Sequence, residues 1–300
     1  MSVKTSLYSD WIMPPFSVHD ANRGPWKVRK EYWLSLGIKS ELGRDLKSGG
    51  IDTSHGAYMP PMTAESIFDP VLTECYYFWH SPVNGLILDP FAGGSVRGIV
   101  AQQMGRQYYG IDLNHKQVDA NYDQLKSIVG EPVYQCKNPP VWIHGDSRTD
   151  IPEMDVDYIF TCPPYGSLEQ YSDDRRDLSN MPYYDFLDAF NEIIEIACSC
   201  LKDNRFATIV VGDFRRKNGL YHNFVADTIH AFQRAGMGYY NEAILVTPLG
   251  TLPFRARRFF EASRKIGKTH QNVLTFLKGN DPEKAAREVN CLPSVRQSTL

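Results

Sequence analysis

The sequence predicts an α/β protein built on one mostly parallel sheet of seven strands, with an antiparallel hairpin at the sheet edge. Three observations carry this expectation. From Ser66 onward, short apolar runs alternate with longer segments of helical period. The early apolar runs are continuous rather than alternating, as in strands covered on both faces. The last two runs are joined by a segment read as a loop, which permits antiparallel pairing.

Each element has its own signal. "SIFDPVLTECYYFW" reads as a helix with Asp69 as its N-cap and Pro70 in the first turn. "GLILDPF" is the first strand, and "SVRGIVAQQMG" a helix that stops at Gly105. "QYYGIDL" is a second strand, and "HKQVDANYDQLKSIVG" a second helix in the alternation. "PVWIHGDS" and "VDYIFTC" are the third and fourth strands, followed by the long helix "YYDFLDAFNEIIEIACSCLK". "FATIVVGDF" is the fifth strand, and "YHNFVADTIHAFQRAG" a helix ended by Gly236. "NEAILVTPL" and "NVLTFLKG" complete the sheet, with no helix expected between them. Residues 1–60 read as irregular apart from one helical candidate at Trp26–Leu36, and residues 281–300 as a loose polar tail.

Bulk properties exclude several classes. The 300 residues are 42% hydrophobic and 22% charged, an ordinary globular composition. The net charge of −3 gives no global basic field, so a nucleic acid would have to be met by a local patch. No run of about 18 apolar residues and no signal-peptide core are present, so a cytoplasmic, membrane-free protein is expected. Cys198 and Cys200 have C-x-C spacing, but no second pair completes a zinc site, and no metal is expected.

In open α/β sheets ligands bind outside the carboxyl ends of the strands. The first strand is followed by Asp89-Pro90-Phe91-Ala92-Gly93-Gly94-Ser95, where two glycines open a helix and let backbone approach a ligand. The second ends on Asp112, well placed to take ribose hydroxyls. The third gives Gly145-Asp146-Ser147, and the fourth Thr161-Cys162-Pro163-Pro164-Tyr165. Adjacent prolines cannot continue a strand, so Pro163 and Pro164 make a stiff extended corner with Tyr165 just beyond it. An acid at a strand end is also a common helix cap or turn residue, and both readings stand for Asp112 and Asp146.

Taken together, "LDPFAGGS", "GID", "GDS" and "TCPPY" resemble the motifs of the S-adenosylmethionine-dependent amino methyltransferases of DNA, phage-type methylases included. The resemblance covers roughly residues 66–280, within a domain expected to span 61–280, and implies a Rossmann-like class I methyltransferase fold. It implies S-adenosylmethionine as cofactor, with Asp89, Gly93 and Gly94 facing its methionine part, Asp112 on the ribose, Asp146 on the adenine amine, and Phe91 against cofactor or target. It implies methyl transfer to the exocyclic amine of an adenine or cytosine rotated out of the duplex. The catalytic group is then Cys162, Pro163, Pro164 and Tyr165: a corner carbonyl orients the amine and Tyr165 stacks on the base. Two departures stand out. The family loop usually reads D-P-F-x-G-S-G, whereas here the last Gly and Ser are exchanged. The residue before the prolines is usually Asp, Asn or Ser, and here it is Cys162. Three readings of Cys162 stay open: a replacement for Ser, a thiolate nucleophile, or an inert small residue.

The segment "GTLPFRARRFFEASRKIGKTHQ" carries Arg255, Arg257, Arg258, Arg264, Lys265 and Lys268 among Phe254, Phe259 and Phe260. It is the candidate nucleic-acid patch, the alternative being a solvated loop with its phenylalanines tucked into the core. "YSDDRRDLSNMPYY" reads as a lid, with Arg175 and Arg176 either clamping phosphate or pairing with neighbouring acids. Double-stranded DNA is the expected partner. No long insert for reading a base sequence is evident, so weak sequence selectivity, a homodimer or a recognition partner would each answer the recognition problem. An RNA methyltransferase, or a silent homologue that binds DNA or a partner, are the alternatives.

Overall fold

The structure, a computed structural model, describes residues 10–39, 68–128, 139–164, 174–250 and 252–289. Its strands are β1 (Val18–Asp20), β2 (Leu86–Asp89), β3 (Gln107–Asp112), β4 (Val141–His144), β5 (Val156–Thr161), β6 (Leu201–Val211), β7 (Met237–Val246) and β8 (His270–Lys278). Its helices are α1 (Gly24–Ser35), α2 (Pro70–His80), α3 (Val96–Gln103), α4 (His115–Ser127), α5 (Tyr183–Cys200), α6 (Phe224–Arg234), α7 (Leu252–Ser263) and α8 (Pro282–Val289). The sheet order is β1-β7-β8-β6-β5-β2-β3-β4. All neighbours run parallel except β8, which is antiparallel to both β6 and β7. The mostly parallel α/β sheet with a late antiparallel return is therefore present.

The strand count differs from expectation: eight among the described residues, not seven. The extra strand is β1, which pairs in parallel with β7, Val18 opposite Ile244 and Asp20 opposite Val246. It covers part of what would otherwise be an open sheet edge. The connection between β7 and β8, expected to be a loop, contains α7. The tail after Lys278, expected to be loose, begins with α8. That helix buries Ala285 and Val289 and turns an exposed face outward, along which Arg287 pairs with Glu283.

Local chemistry explains the rest. The Asp69 side chain accepts from the Val71 and Leu72 N–H groups and Pro70 starts α2, as the sequence predicts. The first N-terminal helix, α1, is fastened to α2 by acids. Glu74, nearly inaccessible, pairs with Arg29 and accepts from Trp33 Nε1 at 2.8 Å, while Asp69 accepts from Trp26 Nε1 at 3.2 Å and Lys30 Nζ at 3.1 Å. Every residue of β5 is buried, in keeping with a central strand covered on both faces.

Two histidines are enclosed with the aromatics between α2 and the sheet. His80 lies stacked between Tyr76 and Tyr158, and its Nδ1 donates to the Tyr76 carbonyl at 3.3 Å. His19 sits among Trp26, Tyr76 and Trp79. Burial pulls both pKa values from 6.5 down to about 4, for His80 against the opposing pull of that hydrogen bond. The folded state thus resists protonation that the unfolded chain accepts. Stability is complete above about pH 6.5 and falls as pH drops from there toward 4, by about 1.4 kcal/mol per pH unit per histidine. Urea unfolding between pH 7 and pH 5 should show this decline, and His80→Phe should flatten it; an equally steep profile in the variant would contradict the assignment.

Candidate active site

The carboxyl ends of β2, β3, β4 and β5 meet along one rim, and the loop after β2 is the most heavily tied segment on it. Asp89 ends β2 with no solvent exposure. Its carboxylate accepts from Arg97 Nε at 2.5 Å, Tyr108 Oη at 2.7 Å and Thr161 Oγ1 at 2.6 Å. One side chain thus joins the ends of β2 and β5, and Tyr108 near the start of β3, to the first turn of α3. Arg97 is buried too and lies 4.5 Å from the Phe68 ring centroid. Burial pulls its guanidinium pKa down, but the Asp89 charge and its hydrogen bond outweigh burial and leave it raised. The resemblance implies that Asp89 faces the methionine part of the cofactor; in the structure three protein donors surround its carboxylate and make it the anchor of the loop.

Successive carbonyls of that loop all point into the protein. Pro90 O accepts from Ser147 Oγ at 2.6 Å, Phe91 O and Ala92 O from Arg97 Nη2 at 2.6 and 2.8 Å, and Gly93 O from Asn121 Nδ2 at 2.8 Å. Gly93 has φ +51°, a region where glycine carries no steric penalty. The exchanged Ser95 is buried at the N-cap of α3 and makes no side-chain cap, so the first-turn N–H groups of α3 are left to other acceptors. Phe91 stacks on Phe190 of α5, 6.0 Å between centroids, and so faces the core.

Asp112 closes β3 at the same rim, half-buried, with Oδ2 accepting from Gly93 N at 2.8 Å and Oδ1 from Asn114 N at 2.8 Å. These bonds fix its rotamer against the glycine loop. Asp146, after β4, is held by Arg148, which donates Nε at 3.0 Å and Nη2 at 2.6 Å. Burial pushes the Asp146 carboxyl up, but the hydrogen bonds and charge of Arg148 outweigh it and leave the pKa lowered. A lowered carboxyl keeps its charge, and so its acceptor strength, across neutral pH.

β5 ends on Thr161, and the corner leaves from it with Pro163 buried and Cys162 and Pro164 half-buried. Tyr165 lies outside the described residues. So the structure brings Asp89, Phe91, Gly93, Gly94, Asp112, Asp146, Cys162, Pro163 and Pro164 to one edge. In the lid segment, Arg176 pairs with Asp174 at 2.8 Å, and Asp177 accepts from Ser179.

The basic segment is helical rather than looped. No residue of α7 is buried, and Phe254 is 84% exposed, with Phe259 and Phe260 also exposed, so these rings are not tucked into the core. Arg257 pairs with Glu261 along the helix, and Arg264 stacks on Phe260 at 5.2 Å. Arg255 Nε is shielded and has no hydrogen-bond partner among the described residues. Lys265 and Lys268 turn toward a second basic element absent from the sequence-based expectations, the hairpin after β6 carrying Arg215, Arg216, Lys217 and Tyr221. The run "FRRKNG" directly after "TIVVGD" is its signal, since it too follows a strand's carboxyl end.

Residues 17–123, from β1 into α4, match the model of a DNA methylase family, the N6/N4 methyltransferases. The type II methyltransferase M.BglII of Bacillus subtilis is 28% identical over 175 residues, covering 57% of this chain. The chain spans 44% of that relative's length. Among solved structures, TrmN from Thermus thermophilus is a distant likeness at TM-score 0.46 and 14% identity, covering 71% of this chain and 49% of that one. A magnesium protoporphyrin IX methyltransferase from Synechocystis, with bound SAM, has TM-score 0.41 and 13% identity, covering 66% of this chain and 71% of that one. No helix among the described residues is long and apolar enough to cross a membrane.

Removing the anchor leaves a buried guanidinium unpaired. Asp89→Ala should lower unfolding free energy by about 3–5 kcal/mol in urea titration; a decrease below about 1 kcal/mol would show that Asp89 does not hold the rim together.

Proposed function

We propose that the chain is an S-adenosylmethionine-dependent methyltransferase acting on the exocyclic amine of a base in DNA. The observation that carries this is the single rim on which the glycine loop, Asp112, Asp146 and the proline corner lie in strand order. That set of strand-end motifs is what the resemblance to the amino methyltransferases implies, and residues 17–123, which hold the first two of them, match a DNA methylase family model.

The residues present fit the donor. The carbonyls of the loop are already satisfied inward, which leaves backbone N–H groups at the start of α3 for a carboxylate. Asp112, oriented by the Gly93 N–H, would take the ribose hydroxyls, and Asp146, oriented by Arg148, would accept from the adenine amine. Gly93 and Gly94 would sit against the methionine part. When bound, S-adenosylmethionine supplies an electrophilic methyl group on a sulfonium.

The chain's own part is positioning. Pro163 and Pro164 have no backbone N–H, so the corner presents carbonyls, which can only accept. A carbonyl there, with the Cys162 thiol as a weak second acceptor, would hold the N–H bonds of the target amine and turn its lone pair toward the donor. Tyr165, next along the chain, would stack on the extruded base, a contact of about 1–3 kcal/mol. Cys162 is read as an orienting group: it replaces the Ser found in some family members, and no ring attack is needed for transfer to an amine. The target amine lies on adenine or cytosine. The cations of α7, with the exposed Arg257 and Arg258 among them, would contact phosphate.

Incubation with unmethylated DNA and labelled donor, followed by nucleoside mass spectrometry, should give N6-methyladenine or N4-methylcytosine. Product on RNA alone would favour an RNA enzyme, and no product at all a silent homologue. Asp112→Ala should weaken donor binding about ten- to hundredfold by calorimetry; unchanged affinity removes it from the site. Changing Arg255, Arg257 and Arg258 together to Gln should weaken duplex binding regardless of sequence and reduce the salt slope by about 0.9 for each phosphate no longer neutralised. An unchanged slope would retire α7 as the phosphate-binding element.

A further inference from the structure

We propose that the hairpin Asp213–His222 enters duplex DNA beside the target base, and that Leu220 fills the place in the stack that the base vacates. This rests on the DNA methyltransferase reading above and adds a wedge to it.

Placement comes first. β6 lies next to β5 in parallel, with Thr161 opposite Ile209. The proline corner and the hairpin therefore leave the sheet side by side at the same edge. On the other flank Val211 lies opposite Asn272 of β8, which brings the segment before β8 to the hairpin. Lys268 Nζ is 6.0 Å from the Tyr221 ring centroid, and the Lys265 side chain lies so close to Gly219 that a Cβ there would sit 2.7 Å from its Cε. The hairpin thus bridges the corner and the cationic α7 segment.

Rigidity comes second. His222 N donates to Phe214 O at 3.0 Å, Arg216 N to Leu220 O at 2.8 Å, and Gly219 N to Arg216 O at 2.9 Å. Gly219 has φ +88°, which the turn requires of it. The Arg215 guanidinium lies 3.9 Å from the Tyr221 ring and donates to Gly219 O at 2.8 Å. At the base Phe214 and Phe224 are buried, Tyr183 packs on His222 at 4.0 Å, and Asp213 Oδ1 accepts from Val225 N at 3.2 Å. Such an element can push into a stack without first being ordered.

The tip is the third observation. Leu220 is 65% exposed, flanked by the exposed Arg216, Lys217 and Asn218. A single exposed leucine is ordinary. An exposed leucine on a fixed finger, ringed by cations and set beside a corner suited to an amine, matches what opening a duplex demands: phosphate contacts to hold the backbone and an apolar group to replace a base.

The test compares native unmethylated genomic DNA with the same DNA heat-denatured, where no stack has to be opened, using labelled S-adenosylmethionine and the full chain. Leu220→Ala should lower the native-to-denatured rate ratio about tenfold, and Leu220→Met should restore most of it. An unchanged ratio in Leu220→Ala overturns the wedge and leaves the methyltransferase reading standing. A ratio that falls with Phe254→Ala and not with Leu220→Ala assigns the wedge to α7 and overturns the proposal. Transfer by the unmodified chain to neither DNA overturns the reading itself, and the wedge with it.

Discussion

One buried carboxylate organises this molecule. Asp89 receives a guanidinium and two hydroxyls from three different elements, and each donor ties down something the site uses. Thr161 is the last strand residue before the proline corner. Tyr108 lies on the strand that ends at Asp112. Arg97 reaches back from α3 to the carbonyls of the very loop it follows. A charge pair removed from water is costly unless its remaining hydrogen-bonding capacity is met. Here it is met by Tyr108, Thr161 and two carbonyls, so the pair acts as a rigid joint rather than a liability.

The two flanks of that joint differ in charge. Toward β3 and β4 stand Asp112 and Asp146; toward β6 and β8 stand Arg215, Arg216, Lys217 and the cations of α7. Under the function proposed above, a cationic methyl donor and a polyanionic duplex would suit opposite flanks, and the proline corner lies between them. The net charge of −3 conceals this division, because it averages over both. The N-terminal segment contributes from a distance: α1 pairs with Glu74 on α2 and with its N-cap Asp69, and α2 packs beside α3.

Much of this was legible in the sequence. Asp69 and Pro70 announce α2 because capping is local chemistry, and β2 and β5 announce themselves because strands covered on both faces need unbroken apolar runs. The strand-end motifs followed from a general property of parallel sheets. The misses have separate causes. β1 is three residues long and carries no period of its own. α7 buries nothing, so its apolar residues show no inward stripe and its leading Leu-Pro reads as a loop. Arg97 looks like a surface residue in "SVRGIV", and only the fold shows that it meets Asp89. Asp89 itself looks the same in sequence whether it faces a ligand or a guanidinium. α8 is polar enough to pass for a tail, although Ala285 and Val289 are buried.

The central claim is that the loop anchored by Asp89 and the corner after β5 are two halves of one transfer site. A crystal structure of the chain with S-adenosylmethionine tests it most directly. The account predicts the donor lying along Gly93 and Gly94, its ribose at Asp112 and its methyl group directed toward the carbonyls at Pro163 and Pro164. A donor bound on another face of the sheet, or one whose methyl group points away from that corner, would contradict it.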